Sequence, residues 1–147
     1  KRDAVLSVHY SWDCVTRLQQ ALLLGRTILV DSLIVPSGTA EHLIELAAKV
    51  SPVVYMAEPN FYYAELAGQG SVNTGSCNFA VAYPVTQPLN RLRPPFLVLD
   101  GVNSAQNVGQ ILRTAFHLGV TSVVASRTSF SNLNGRACRV SMGWLYH

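Results

Sequence analysis

Apolar residues recur along the chain at two spacings, and the switches between them predict its elements. From Trp12 to Leu24, Val15, Leu18 and Leu22 share one face of a 3.6-residue period, and Gly25 stands where a helix would stop. Residues Ile28 to Val35 are rich in β-branched side chains and run into Pro36, the pattern of a strand leaving into a turn. Thr39 is placed to cap a second helix, in which Leu43, Ile44, Ala47 and Val50 keep helical spacing until Ser51 and Pro52. Pro52 to Met56 reads as a short strand, Pro59 to Ala67 as a short helix followed by Gly68 and Gly70, and Phe79 to Tyr83 as a third strand. The succession predicts a small α/β domain over residues 1–83.

Residues 84–95 hold Pro84, Pro88, Pro94 and Pro95 without apolar periodicity, and read as a linker. Beyond it, Phe96 to Leu99 is a continuous apolar strand of the kind buried on both faces of a parallel sheet. A polar turn (Asp100, Gly101, Asn103, Ser104) leads to a helix from about Asn107 to Leu118; Gly119 ends it and Ser122 to Ala125 forms the next buried strand. Residues 96–147 thus open with a βαβ unit, whose crossover should be right-handed. Within its helix Val108, Ile111, Leu112, Ala115 and Phe116 form one stripe toward the sheet. Asn107 lies at the mouth of the helix, Gly109 in its first turn and Arg113 one turn later. Helical side chains lean toward the N-terminus, so Arg113 reaches back across the turn of Gly109 toward the carboxyl end of the strand, where open α/β sheets bind ligands. On this reading Asn107 and Arg113 hold a phosphate and a sugar edge. The alternative is that Asn107 caps, Gly109 permits close helix packing and Arg113 is solvated.

Charge sharpens the contrast between the halves. Residues 1–83 carry five bases against seven acids, a net of −2; residues 84–147 carry six arginines against Asp100 alone, a net of +5. An all-arginine segment suits a phosphate-bearing partner, because guanidinium grips phosphate oxygens through paired hydrogen bonds. Arg91, Arg93, Arg127, Arg136 and Arg139 are the candidates for such contacts; a solvated basic face is the bland reading. Apolar residues make up 49% of the chain, enough for a genuine core, and no apolar run is long enough to cross a bilayer. Cys14, Cys77 and Cys138 show no paired spacing and His9, His42, His117 and His147 lie far apart, so neither a disulfide framework nor a metal site is expected, and a reducing intracellular compartment is. Arginines at 136 and 139 flank Cys138 and would lower its pKa, although a small packed residue is the preferred reading. Tyr55, Phe61, Tyr62 and Tyr63 offer base-stacking surfaces, but core packing is preferred for them.

The stretch LVLDGVNSAQNVGQILRTAFHLGV (Leu97 to Val120) resembles the first motif of the SpoU/TrmH RNA methyltransferases, a buried strand running into an N-x-G-x-I-x-R helix. Asn107, Gly109, Ile111 and Arg113 fill its positions. Arg139, Val140, Ser141, Met142 and Gly143 resemble the family's R-x-S-x-G segment, with Trp144 where the family usually has alanine. The front portion is similar to the family's small, ribosomal-protein-like RNA-binding domain. The resemblance implies a Rossmann-like methyltransferase domain and transfer of methyl from S-adenosylmethionine to a ribose 2′-hydroxyl of tRNA or rRNA by a homodimer. It implies catalytic roles for Arg113 and Asn107, and structural ones for Gly109, Ile111, Ser141 and Gly143. The family's donor-binding knot is built from two further motifs, expected beyond His147; an opening on Lys1, Arg2 and Asp3 likewise points to an upstream start. The 147 residues alone are therefore expected to bind the donor weakly or not at all and to be inactive. The competing readings are a non-catalytic RNA-binding protein and, last, a nucleotide-binding α/β protein using the Asp100 to Gly109 turn, which lacks phosphate-loop spacing.

Overall fold

The computed structural model describes residues 5–9, 12–61, 77–82 and 86–147. The elements run β1 (Val5–His9), α1 (Trp12–Leu23), β2 (Val30–Pro36), α2 (Glu41–Val50), β3 (Val54–Ala57), α3 (Pro59–Phe61) and β4 (Asn78–Ala82). They continue with β5 (Phe96–Leu99), α4 (Ala105–His117), β6 (Ser122–Ala125), α5 (Arg127–Ser131), α6 (Gly135–Val140) and a 3-10 turn at Trp144–Tyr146. The first four strands form one sheet in the order β1-β4-β2-β3, in which only β2 and β3 are parallel. β5 and β6 pair in parallel, Phe96 opposite Ser122 and Leu99 opposite Ala125. The architecture is mixed α/β, as the periodicity predicts, with element ends displaced by one or two residues. β1 is additional: five residues carry too little pattern to declare a strand, and what makes them one is pairing with β4, about seventy positions away in sequence.

The α1 stripe folds as its spacing demands. Cys14, Val15, Leu18 and Ala21 are fully buried, Asp13 sits in the first turn where the helix dipole favours an acid, and Gly25 leaves the helix at φ 77°. In the sheet, Leu33 and Val35 of β2 and Phe79 and Val81 of β4 complete this core. α2 departs from the capping prediction: it begins at Glu41 after Ala40, which has no capping side chain, and the Thr39 hydroxyl instead donates to the Pro36 carbonyl at 2.7 Å. The threonine therefore closes the turn out of β2 and leaves the helix amides alone. Of the helix predicted from Pro59 to Ala67, the described residues reach Phe61; Tyr62, Tyr63, Gly68 and Gly70 lie outside them. Tyr55 and Phe61 are each 56% exposed, so the expectation of core packing fails for both; Tyr55 lies on β3, an edge strand of its sheet.

A second core gathers Leu99, Val108, Leu112, Leu133 and Ala137 between the β5–β6 pair, α4 and α6. It covers one side of that pair only. Phe96, Val98 and Val123 remain 48%, 58% and 39% exposed, which corrects the prediction of strands buried on both faces. Among the described residues only one layer of helix lies against these strands. The two cores meet beyond residue 95, for Cys138 and Tyr146 belong to the first and Leu145 packs against both.

Candidate functional site

β5 and β6 are parallel neighbours, so the loops leaving them emerge side by side at one end of the sheet. Gly101 makes the first turn possible with a φ of 64°, a conformation that costs glycine nothing. The loop from β6 then holds it. The Gly101 amide donates to Ser126 Oγ at 3.0 Å, the Val102 amide to Ser129 Oγ at 2.9 Å, and the two serine oxygens lie 3.2 Å apart. Ser129 is fully buried, and Asn132 Nδ2 donates to the Thr128 carbonyl at 3.0 Å and the Val102 carbonyl at 3.5 Å. Such a clamp fixes where α4 begins. The sequence reading missed all three residues, because serine and asparagine in a loop are ordinary turn formers until tertiary pairing gives them partners.

Ser104 is the N-cap of α4, its Oγ accepting from the Asn107 amide at 3.4 Å. Asn107 is thus the third residue inside the helix, and the capping alternative for it is excluded. Its side chain is exposed, as is Arg113, whose guanidinium makes no hydrogen bond or ion pair among the described residues. Helical geometry sets Asn107 and Arg113 about 120° apart around the axis and about 9 Å along it. They therefore leave α4 on different sides. Gly109 is buried and has a packing role: a Cβ there would stand 2.8 Å from both the Ala137 carbonyl and Val140 Cβ. The absent side chain lets α6 lie directly against α4, with Ile111 half-buried alongside the second core.

α6 starts at the Asn134 cap, whose Oδ1 accepts from the Arg136 and Ala137 amides at 3.0 and 3.2 Å. Arg136 reaches across to α4, Nη2 donating to Gln106 Oε1 at 3.0 Å. Arg127 and Arg139 are exposed without a carboxylate partner among the described residues. Ser141 is buried and donates to the Cys138 carbonyl at 2.9 Å, closing the turn after α6. Gly143, at φ 84°, has no room for a side chain: a Cβ would lie 3.0 Å from Arg17 Cβ and 3.1 Å from Cys14 Cα. This close approach delivers Trp144 onto Phe116 at a centroid separation of 3.8 Å, with the Arg17 guanidinium 4.2 Å above the indole. Trp144 is thereby an anchor between α1 and α4. His117 donates from Nδ1 to the Arg113 carbonyl at 2.6 Å and meets the Trp144 ring edge-on, so it is tied to its helix although exposed.

Arg91 and Arg93 stand elsewhere. With Arg26 they line an open groove of about 610 Å3 whose floor includes Leu112, Phe116 and Val123. The six arginines of the back half consequently do not form one surface with a single use. The Cys138 thiol is pushed well up by its hydrogen bond with Cys14 and by burial, which corrects the expectation that flanking arginines lower it. All three cysteines are buried and outside any disulfide. Among the described residues no three His, Cys, Asp or Glu side chains gather as metal ligands, and no helix is long and apolar enough to cross a membrane.

Comparison with known proteins places this geometry. The model of the SpoU rRNA Methylase family matches residues 94–147. The 23S rRNA (guanosine-2′-O-)-methyltransferase RlmB of Neisseria meningitidis serogroup B is 32% identical over 107 residues, covering 69% of this chain and 42% of the relative. Among solved structures, the SpoU methyltransferase AviRb of Streptomyces viridochromogenes in complex with AdoMet superposes with a TM-score of 0.69 at 18% identity, over 95% of this chain and 52% of that one. An AdoMet-bound rRNA methyltransferase of Sinorhizobium meliloti gives 0.60 at 16% identity, over 97% and 51%. These two likenesses show a shared fold. The chain spans about half the length, or somewhat less, of the relatives it matches.

Proposed function

Since the chain belongs to the SpoU rRNA methylase family, we propose that it forms the RNA-facing part of an enzyme that methylates a ribose 2′-hydroxyl of rRNA or tRNA. The observation that carries this reading is the state of Arg113: an arginine on the exposed face of α4, the helix that follows the clamped carboxyl end of β5, with no partner of its own among the described residues. Arginine stays protonated at any physiological pH, so it is unsuited to remove the hydroxyl proton itself. Its guanidinium holds the phosphate or ribose oxygen and, as a fixed positive charge, makes proton loss from the neighbouring hydroxyl easier. Asn107, on another side of the same helix, supplies an amide that orients the sugar. Positioning the hydroxyl for in-line attack is the larger part of the demand, and the Ser126–Ser129 clamp serves it by fixing the helix start.

By family the methyl donor is S-adenosylmethionine, which supplies a sulfonium-activated methyl group. The open groove lined by Arg26, Arg91 and Arg93 does not fit it. The charged lining of the open groove is Arg26, Arg91 and Arg93, with no carboxylate to receive the donor's ammonium group, so no residue is assigned to the donor. Assembly as a homodimer is part of the same proposal, as is a reducing compartment, with which three buried cysteines outside any disulfide are consistent. The test is Arg113→Lys in the whole enzyme that contains this sequence. Methyl transfer should fall by about 100-fold or more, on the scale of losing one transition-state donor, with little change in thermal stability. Near-normal turnover would overturn the role of Arg113.

A further inference from the structure

We propose that Gln106 and Arg136 form a second phosphate grip beside Arg113, so that an RNA strand lies along the exposed face of α4 with successive phosphates held from two helices. The proposal rests on the reading that α4 faces RNA. Gln106 and Arg113 are seven residues apart, which returns them to within about 20° of one another around the helix and separates them by about 10.5 Å along it. They therefore share one exposed strip. Arg113 leans toward the N-terminus of α4, hence toward Gln106. α6 is seated against the intervening turn at Gly109, and the Asn134 cap fixes its first turn, so Arg136 arrives at Gln106 from a held position.

The chemistry of the contact favours an anion above it. Arginine has no acceptor, so Gln106 must present Oε1 to Arg136, at 3.0 Å, which leaves the glutamine NH2 free to donate outward. Because glutamine is neutral, the guanidinium keeps its full charge and its remaining N–H donors. No intramolecular carboxylate from this region can neutralise it: residues 101–147 contain four arginines and no aspartate or glutamate. Two cations on one strip without counter-charges repel each other, and a sugar-phosphate chain relieves that repulsion.

The experiment is an anisotropy titration of the 147-residue chain with a labelled single-stranded RNA of about twenty nucleotides, repeated over a range of KCl concentrations. Each phosphate contact contributes about 0.7 to the slope of log K against log salt for a single strand. Arg113→Gln and Arg136→Gln should each lower the slope by about 0.7, and together by about 1.4. Gln106→Glu should match Arg136→Gln, because the new carboxylate takes the guanidinium out of use while the arginine remains; Gln106→Ala should weaken binding yet keep the slope. If Arg113→Gln lowers the slope while Arg136→Gln and Gln106→Glu leave it unchanged, the second grip is wrong and the α4 reading stands. If none of them moves it, or the chain does not bind the RNA, the α4 reading fails and takes this inference with it. Slope losses seen only with anionic phospholipid vesicles would overturn RNA as the occupant.

Discussion

At the scale of single residues, burial and partners decide chemistry that residue type leaves open. His147 is the case with a measurable consequence. Burial lowers its pKa from 6.5; its bond to the Arg17 carbonyl, 3.0 Å from Nε2, opposes this, while the charges of Arg17 and Arg26 add to it. A folded-state pKa below the unfolded one means that the unfolded chain takes up the proton first as pH falls. The stabilising contribution is therefore complete above 6.5 and is lost as pH drops below 6.5 toward the lowered value. Thermal midpoints measured between neutral and mildly acidic pH should fall more steeply for the wild type than for His147→Gln; equal slopes would remove His147 from the account. Arg113 shows the opposite situation. Its position on the exposed side of α4 follows from the apolar stripe alone, whereas the bond from Arg136 to Gln106 depends on a neighbouring helix that local sequence does not place.

Among elements, the α4–α6 crossing does most to define the candidate site, and it turns on a missing side chain. The motif glycine could be read either as open space beneath Arg113 or as a contact point for another helix, and the structure decides for the contact. Helix propensity alone would reward Gly109→Ala by about 0.8–1.0 kcal/mol. A methyl group at 2.8 Å from a backbone carbonyl cannot be accommodated by a side-chain rotation, so the helices must separate, at a cost of about 1–3 kcal/mol. Gly109→Ala should accordingly lower the denaturation midpoint, and a more stable variant would show that α6 is not seated as described. Trp144 belongs to the same element scale. The sequence shows it only as a departure from the family pattern; stacking on Phe116 and beneath Arg17 gives it a structural use.

At the scale of the whole molecule, the C-terminal stretch closes back on the first sheet. Tyr146 donates its hydroxyl to the Ala82 carbonyl at 2.9 Å, and Cys14 Sγ lies 3.6 Å from the Cys138 carbonyl. Tyr146→Phe keeps the ring and removes that hydrogen bond, and should cost about 0.5–1.5 kcal/mol in urea denaturation, in a single transition. Separate transitions for the two sheets, or no loss, would show that they fold independently. Legibility follows the range of the interactions. Periodicity, glycine and proline placement and charge composition fixed the α/β class, the α4 stripe, the exposed position of Arg113 and the family likeness, because each depends on residues within a few turns of one another. Tertiary structure alone decided the pairing of β1 with β4, the serine clamp on the strand ends, the exposed outer face of Phe96 and Val98, and the shared core of Cys138 and Tyr146. Those contacts join residues tens of positions apart, and a hydroxyl or an apolar side chain carries no local mark of which distant partner will satisfy or cover it.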